Sequence, residues 1–158
     1  MSMITFTTSG YGFYTQDITV ENLYKFLKNH PSDDWRIKDI LESVDGIIEE
    51  EGTEDLDEIL DMYDDFLDDG VDTSSISGII GIIIMEETGL TFAFADRDDY
   101  DDEALLYEPL YPWQLNDKEK ELLNEGKLTR KYIEEVLNPY AEELGVDSCQ
   151  YIDLTYTG

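Results

Sequence analysis

One cysteine and one histidine among 158 residues leave the chain with little of what nucleophilic and zinc chemistry usually needs. A lone cysteine excludes an internal disulfide, and zinc sites of the common Cys and His kinds cannot be assembled from one of each. A Ser-His-Asp or Cys-His system would have to use His30, which stands beside Pro31 at an expected helix end, where an imidazolium simply suits the helix dipole. Cys149 has no CxxC partner and reads as a structural thiol in a strand. Basic residues are scarce too: 10 Lys plus Arg face 39 Asp plus Glu, a formal net charge of -29. Direct binding to nucleic acid is thereby disfavoured, because it needs a cationic surface to displace counterions from phosphates, and an anionic membrane repels the same charge. No GxxxxGK[ST] sequence and no strand-GxGxxG-helix arrangement is present to cradle a phosphate. The longest apolar stretch, Ile76 to Met85, is about half the length a bilayer crossing requires. With no basic-then-apolar leader at its start, the chain is expected in a reducing cytoplasm.

What the chain does have is apolar material: 41% hydrophobic residues, with 11 Tyr, 6 Phe and 2 Trp. That suffices for one domain spanning 1–158. Alternation in Met3 to Thr8 suits a half-buried strand, and Gly10-Tyr11-Gly12 reads as the breaker after it. Thr19 caps a helix carrying Val20, Leu23, Tyr24 and Leu27 that ends at His30-Pro31. Ser32 caps a second, with Trp35, Ile37, Ile40, Leu41 and Val44, before Gly46. From Thr53 the positions Leu56, Ile59, Leu60, Tyr63, Phe66 and Leu67 make one apolar helical stripe that Gly70 stops. The β-branched run Ile76 to Met85 is expected as a central strand, joined through Glu86 to Gly89 to a second strand over Leu90 to Ala95. Asp96 to Glu103 reads as a loop, and Pro109 and Pro112 favour an extended segment from Leu105 to Trp113. Asn116 caps a helix through Leu123, and Thr129 caps another that Pro139 kinks or divides. Tyr151 to Tyr156 closes as a strand. The expected class is α+β, a mixed or antiparallel sheet of about four strands with several helices, one of them strongly acidic.

Charge is unevenly spread. Between Asp39 and Asp117 lie 26 acidic residues and one basic residue, Arg97. The helix from Thr53 would present Glu54, Asp57, Glu58, Asp61, Asp64, Asp65, Asp68 and Asp69, an outer face almost wholly of carboxylate. Like charges at i, i+4 and acids at a helix C-terminus both oppose folding, so helix formation alone does not account for them. Asp96, Asp98, Asp99, Asp101, Asp102 and Glu103 form a second cluster. Against the EF-hand pattern that cluster fails, with Asp101 where Gly is required and Tyr107 where the bidentate Glu belongs. No catalytic residue, metal or cofactor is therefore expected. The cluster Tyr107, Tyr111 and Trp113 is a candidate aromatic partner patch, since Tyr and Trp are enriched at hot spots. The pair Glu119-Lys120 falls in a helix and faintly matches acid-lysine nuclease sites, whose substrate this chain would repel.

Duplex DNA carries about one negative charge per ~1.7 Å of axis, and residues four apart on a helix lie about 6 Å apart along it. Rows such as Asp57, Asp61, Asp65 and Asp69 can thus imitate a phosphate backbone. In size, charge and acidic helix face, mainly over 39–117, the chain resembles the small acidic inhibitors of phages and mobile elements, the anti-CRISPR and anti-restriction proteins that act as DNA mimics. The resemblance rests on no sequence motif and, since these inhibitors share no common fold, implies nothing about topology. It implies a stoichiometric inhibitor in a bacterial host. Its partner would be a basic nucleic-acid-binding protein such as a Cas effector or restriction enzyme, covered on its DNA-binding or PAM-reading surface. Two alternatives share the composition: an immunity protein against a basic nuclease toxin, and a generic acidic or divalent-cation-binding cytoplasmic protein.

Overall fold

A computed structural model describes residues 5–52, 55, 58, 76–97, 102–108 and 112–157. In chain order its elements are β1 (Thr5–Tyr14), α1 (Val20–Asn29), α2 (Trp35–Glu51), α3 (Ile76–Thr88), β2 (Ala93–Arg97) and β3 (Asp102–Tyr107). A 3-10 turn (Pro112–Gln114), α4 (Asp117–Asn124), α5 (Arg130–Leu144) and β4 (Gln150–Thr157) complete them. The class is α+β. The strands form one sheet in the order β2-β3-β1-β4, with every pairing antiparallel. The helix expected over Thr53 to Gly70 lies outside the described residues, apart from the exposed Asp55 and Glu58.

Helix starts follow local chemistry. The side chains of Thr19, Asn116 and Thr129 accept from the backbone N–H of Asn22, Glu119 and Tyr132, satisfying donors that the first helical turn leaves without a partner. For α2 the cap is Asp34 in place of the expected Ser32: the Asp34 carboxylate accepts from Arg36 N–H, while Ser32 Oγ accepts from Asp34 N–H and donates to Glu86. Gly46 does not end α2, which continues to Gly52 at φ +60. Nor does Pro139 divide α5.

The expected strand over Ile76 to Met85 is instead helix α3, and with it the expected hairpin to Leu90–Ala95 is lost. β-Branched residues cost a helix only about 0.7 kcal/mol each at most, whereas burying an isoleucine contributes roughly 1.5–3 kcal/mol. Ile79, Ile80, Ile83 and Ile84 are all buried at helical spacing. A continuous apolar run of this length fits a helix sunk in the core as well as a covered strand. Gly81 lets α3 approach β3 closely, since a Cβ there would stand 3.2 Å from Leu105 Cδ1.

Gly10 and Gly12 do not break β1 but lie within it. A Cβ on Gly12 would sit 1.8 Å from the Leu105 carbonyl oxygen, and one on Gly10 would sit 2.4 Å from that of Tyr107. The missing side chains let β1 and β3 pass at a distance no other residue allows. The hairpin that does form joins β2 to β3, so Asp96, Arg97, Asp102 and Glu103 belong to strands where a loop was expected.

Both sheet faces are covered. Phe13, Leu105 and Tyr107 join the main core with Leu23, Phe26, Leu27, Ile37 and Ile40 from α1 and α2, Ile79, Ile80, Ile83 and Ile84 of α3, and Ile133 and Leu137 from α5. The alternate residues Ala104 and Leu106 pack with Ile152 and Leu154 of β4 in a second, smaller cluster. Among the described residues no helix is long and apolar enough to cross a membrane.

Candidate functional site

Three places bear on function. The first is the outer face of α2. Its apolar positions Ile37, Ile40 and Val44 point into the core, which turns Asp39, Glu42, Glu49 and Glu50 to solvent. None of these four has an ion-pair partner among the described residues. The helix's own cations are committed near its start: Arg36 to Asp34 at 3.0 Å, and Lys38 to Asp33 at 3.6 Å. Hydrogen bonding to Arg36 is the largest influence on the Asp34 carboxyl and holds it below the usual range. Asp45 is bound by Lys28 at 2.9 Å and accepts from the Tyr24 hydroxyl, which fastens α2 to α1. The last turn of α2 contains no basic residue.

Of the residues singled out from sequence, Glu54, Asp57, Asp61, Asp64, Asp65, Asp68 and Asp69 lie outside the described residues, as do Asp98, Asp99, Asp101 and Tyr111. Glu58 is exposed. The β2–β3 register sets Asp96 opposite Glu103 and Arg97 opposite Asp102. The aromatic patch is not one surface: Trp113 is 75% exposed, but Tyr107 is 7% exposed because it faces the core from β3. Among the described residues, no group of three His, Cys, Asp or Glu is placed to hold a metal ion.

The second place is around Glu119, which is fully buried in α4. Asn116 and Glu119 form a reciprocal capping box. The Glu119 carboxylate accepts from Asn116 N–H at 3.1 Å, Thr91 N–H at 3.3 Å, the Thr91 hydroxyl at 3.2 Å and the Tyr107 hydroxyl at 2.7 Å. Burial, and then the bond to Glu119, push the Tyr107 phenol well above its ordinary value. Four donors on one carboxylate make a structural pin between α4, β3 and the strand entry at Thr91. The spacing Asn116-x-x-Glu119 is the signal that could have found it. Beside it opens a cavity of about 210 Å³, lined chiefly by Tyr11, Tyr107, Leu115, Leu123, Leu128 and Ile133. Arg130 at its rim lies over the Tyr11 ring at 5.2 Å and donates to Glu134 at 2.8 Å.

The third is His30, the C-cap of α1. Its ring stacks on Phe26 with centroids 4.3 Å apart, Nδ1 lies 2.7 Å from Glu87 at the end of α3, and Nε2 lies 2.7 Å from Glu143 on α5. A carboxylate beside each nitrogen favours the doubly protonated imidazolium, in which both nitrogens donate and no lone pair is left to accept a proton. The expectation of a residue serving only its helix dipole missed these partners, which come from distant sequence. Cys149 precedes β4 and is half-buried, and burial pushes its thiol up to about 11. The chain matches no protein-family model, no curated protein and no solved structure.

Proposed function

We propose that the chain is an acidic nucleic-acid-mimic inhibitor that occupies the nucleic-acid-binding surface of a basic nuclease or defence effector, in the manner of anti-CRISPR proteins. The observation that carries this reading is the segregation of charge, 26 acidic residues against one basic residue over 39–117. Support comes from α2, where Asp39, Glu42, Glu49 and Glu50 face solvent without cationic partners among the described residues, on a helix whose opposite side is fixed in the core. A rigid row of carboxylates costs stability and contributes nothing to packing. Against a cationic groove the same row speeds encounter and releases bound counterions. Arginines that read base edges are suited to carboxylates, because both groups pair bidentately.

The experiment is a pull-down with tagged protein from nuclease-treated lysate containing a CRISPR effector, eluted in salt steps. A single basic nucleic-acid enzyme, retained at physiological salt and displaced by its own DNA, is expected. Neutralising Asp39, Glu42, Glu49 and Glu50, or Asp57, Asp61, Asp65 and Asp68, to the corresponding amides should lower its retention while the fold persists. Retention of many basic proteins, all shed at modest salt, would overturn the reading.

A further inference from the structure

We propose that His30 with Glu87 and Glu143 forms a proton-operated latch that clamps the end of α3 to α1 and α5. All three helices contribute to the main core, through Phe26 of α1, Ile83 and Ile84 of α3 and Leu144 of α5. The geometry of the latch is specific: Glu87 Oε2 and Glu143 Oε2 each stand 2.7 Å from one ring nitrogen, on opposite edges of the imidazole.

Among the described residues, the groups facing the ring come from three helices. From α3 the charged group is Glu87. From α5 come Glu143 and the Tyr140 hydroxyl, which donates to Glu87 Oε1 at 3.0 Å. From α1 come the Phe26 ring under the imidazole and the Asn29 amide, which donates to Glu143 Oε1 at 3.3 Å. Lys28, the cation nearest in sequence, is held by Asp45 and does not serve these carboxylates. Ser32 reinforces the closure by donating to Glu86. Loss of the ring proton turns one nitrogen's lone pair toward a carboxylate and leaves Glu87 and Glu143 without a shared counter-charge. The contact then changes from attractive to repulsive.

Burial is the largest single influence on the imidazole and lowers its pKa, but hydrogen bonds and charge from Glu143 and Glu87 together outweigh it, so the net direction is upward from 6.5. A group raised on closure stabilises the closed state fully below its open-state pKa, and that contribution is lost as pH rises through the closed-state value. Alkalinisation therefore opens the latch.

Because His30 is the one histidine, its ring resonance can be followed by NMR without ambiguity from about pH 5 to about pH 9. Native-state hydrogen exchange at Glu86, Glu87 and Gly89, corrected for the intrinsic pH dependence of exchange, reads opening of the α3 end in the same samples. One inflection above 6.5 is expected. Across it, opening should increase about tenfold for each unit by which the closed-state pKa exceeds the open-state one. Glu87→Gln and Glu143→Gln should each bring the inflection down and shift opening with it. His30→Arg keeps a cation at every pH and should hold the α3 end closed throughout, which provides a test even if His30→Gln fails to fold. An inflection at or below 6.5, opening that does not follow the titration, or wild-type pH dependence in His30→Arg would each overturn the latch.

Discussion

Adding one methyl group at either of two glycines should have opposite consequences. At Gly12 a Cβ would meet the Leu105 carbonyl at 1.8 Å, and both atoms belong to paired backbone, so neither can turn aside. Gly12→Ala is expected to cost about 2 kcal/mol or more, as overpacking with backbone displacement does. Gly46 lies inside α2 with nothing within 4 Å of its built Cβ, and Gly46→Ala should stabilise by up to about 1 kcal/mol. Urea unfolding of the two variants separates them by sign, and equal effects would refute the packing argument for β1. Glu119 offers the complementary case. Glu119→Leu keeps apolar bulk but strands the buried Tyr107 hydroxyl, an orphan costing about 1–3 kcal/mol, and removes the acceptor of the part-buried Thr91 and Asn116 donors. Equilibrium unfolding should register a loss above 2 kcal/mol, and a near-neutral variant would mean that these donors find other acceptors. None of these three roles follows from residue type alone, because each depends on whether another strand or helix comes within 4 Å.

At the scale of elements, legibility divides along local and distant causes. Caps at Thr19, Asn116 and Thr129 were readable because the capping side chain and the N–H it satisfies lie three residues apart. Strand β4 was readable from alternation, as was the start of β1. Helix α3 was not, because an isoleucine-rich run without polar alternation has no clear period, and only the surrounding elements decide whether it buries as helix or strand. The candidate site divides similarly: the acidic block is a property of composition, whereas the His30 clamp joins residues 57 and 113 positions apart. The order β2-β3-β1-β4 lay beyond local pattern for the same reason. Helix ends supply a further prediction. Glu49 and Glu50 crowd the negative end of α2's dipole with no basic residue in that turn. Glu50→Lys should therefore raise stability by about 0.5 kcal/mol at low salt and by less as salt screens it. Thr129→Ala, which removes the α5 cap, should lower it by about 1 kcal/mol with little salt dependence. Thermal melts at low and high NaCl distinguish a dipole effect from a hydrogen-bond effect, and identical salt responses would show that charge at the end of α2 is immaterial.

For the whole molecule, the same carboxylates should act with opposite sign on folding and on partner binding. A net charge of -29 repels itself most strongly in the compact state, so the free protein should gain melting temperature as monovalent salt is added. The effect should be steepest up to about 0.1 M, where the Debye length falls to about 10 Å. A complex held by those carboxylates against a cationic groove must respond in the other direction. Its association rate should fall as salt rises, because screening removes the long-range attraction that steers encounter. Neutralising Asp39, Glu42, Glu49 and Glu50 should reproduce both effects without salt, raising the melting temperature while slowing association. Melting curves and association kinetics on the same salt series test this directly. NaCl and MgCl₂ matched in ionic strength should shift melting alike if screening is the cause, whereas a rise at micromolar Mg²⁺ alone would indicate a bound cation and favour the divalent-binding alternative. If salt stabilised the free protein but left association unchanged, the acidic face would be a solvated surface. If melting were insensitive to salt while association remained steeply dependent on it, the partner would be reading the carboxylates at no cost to the fold.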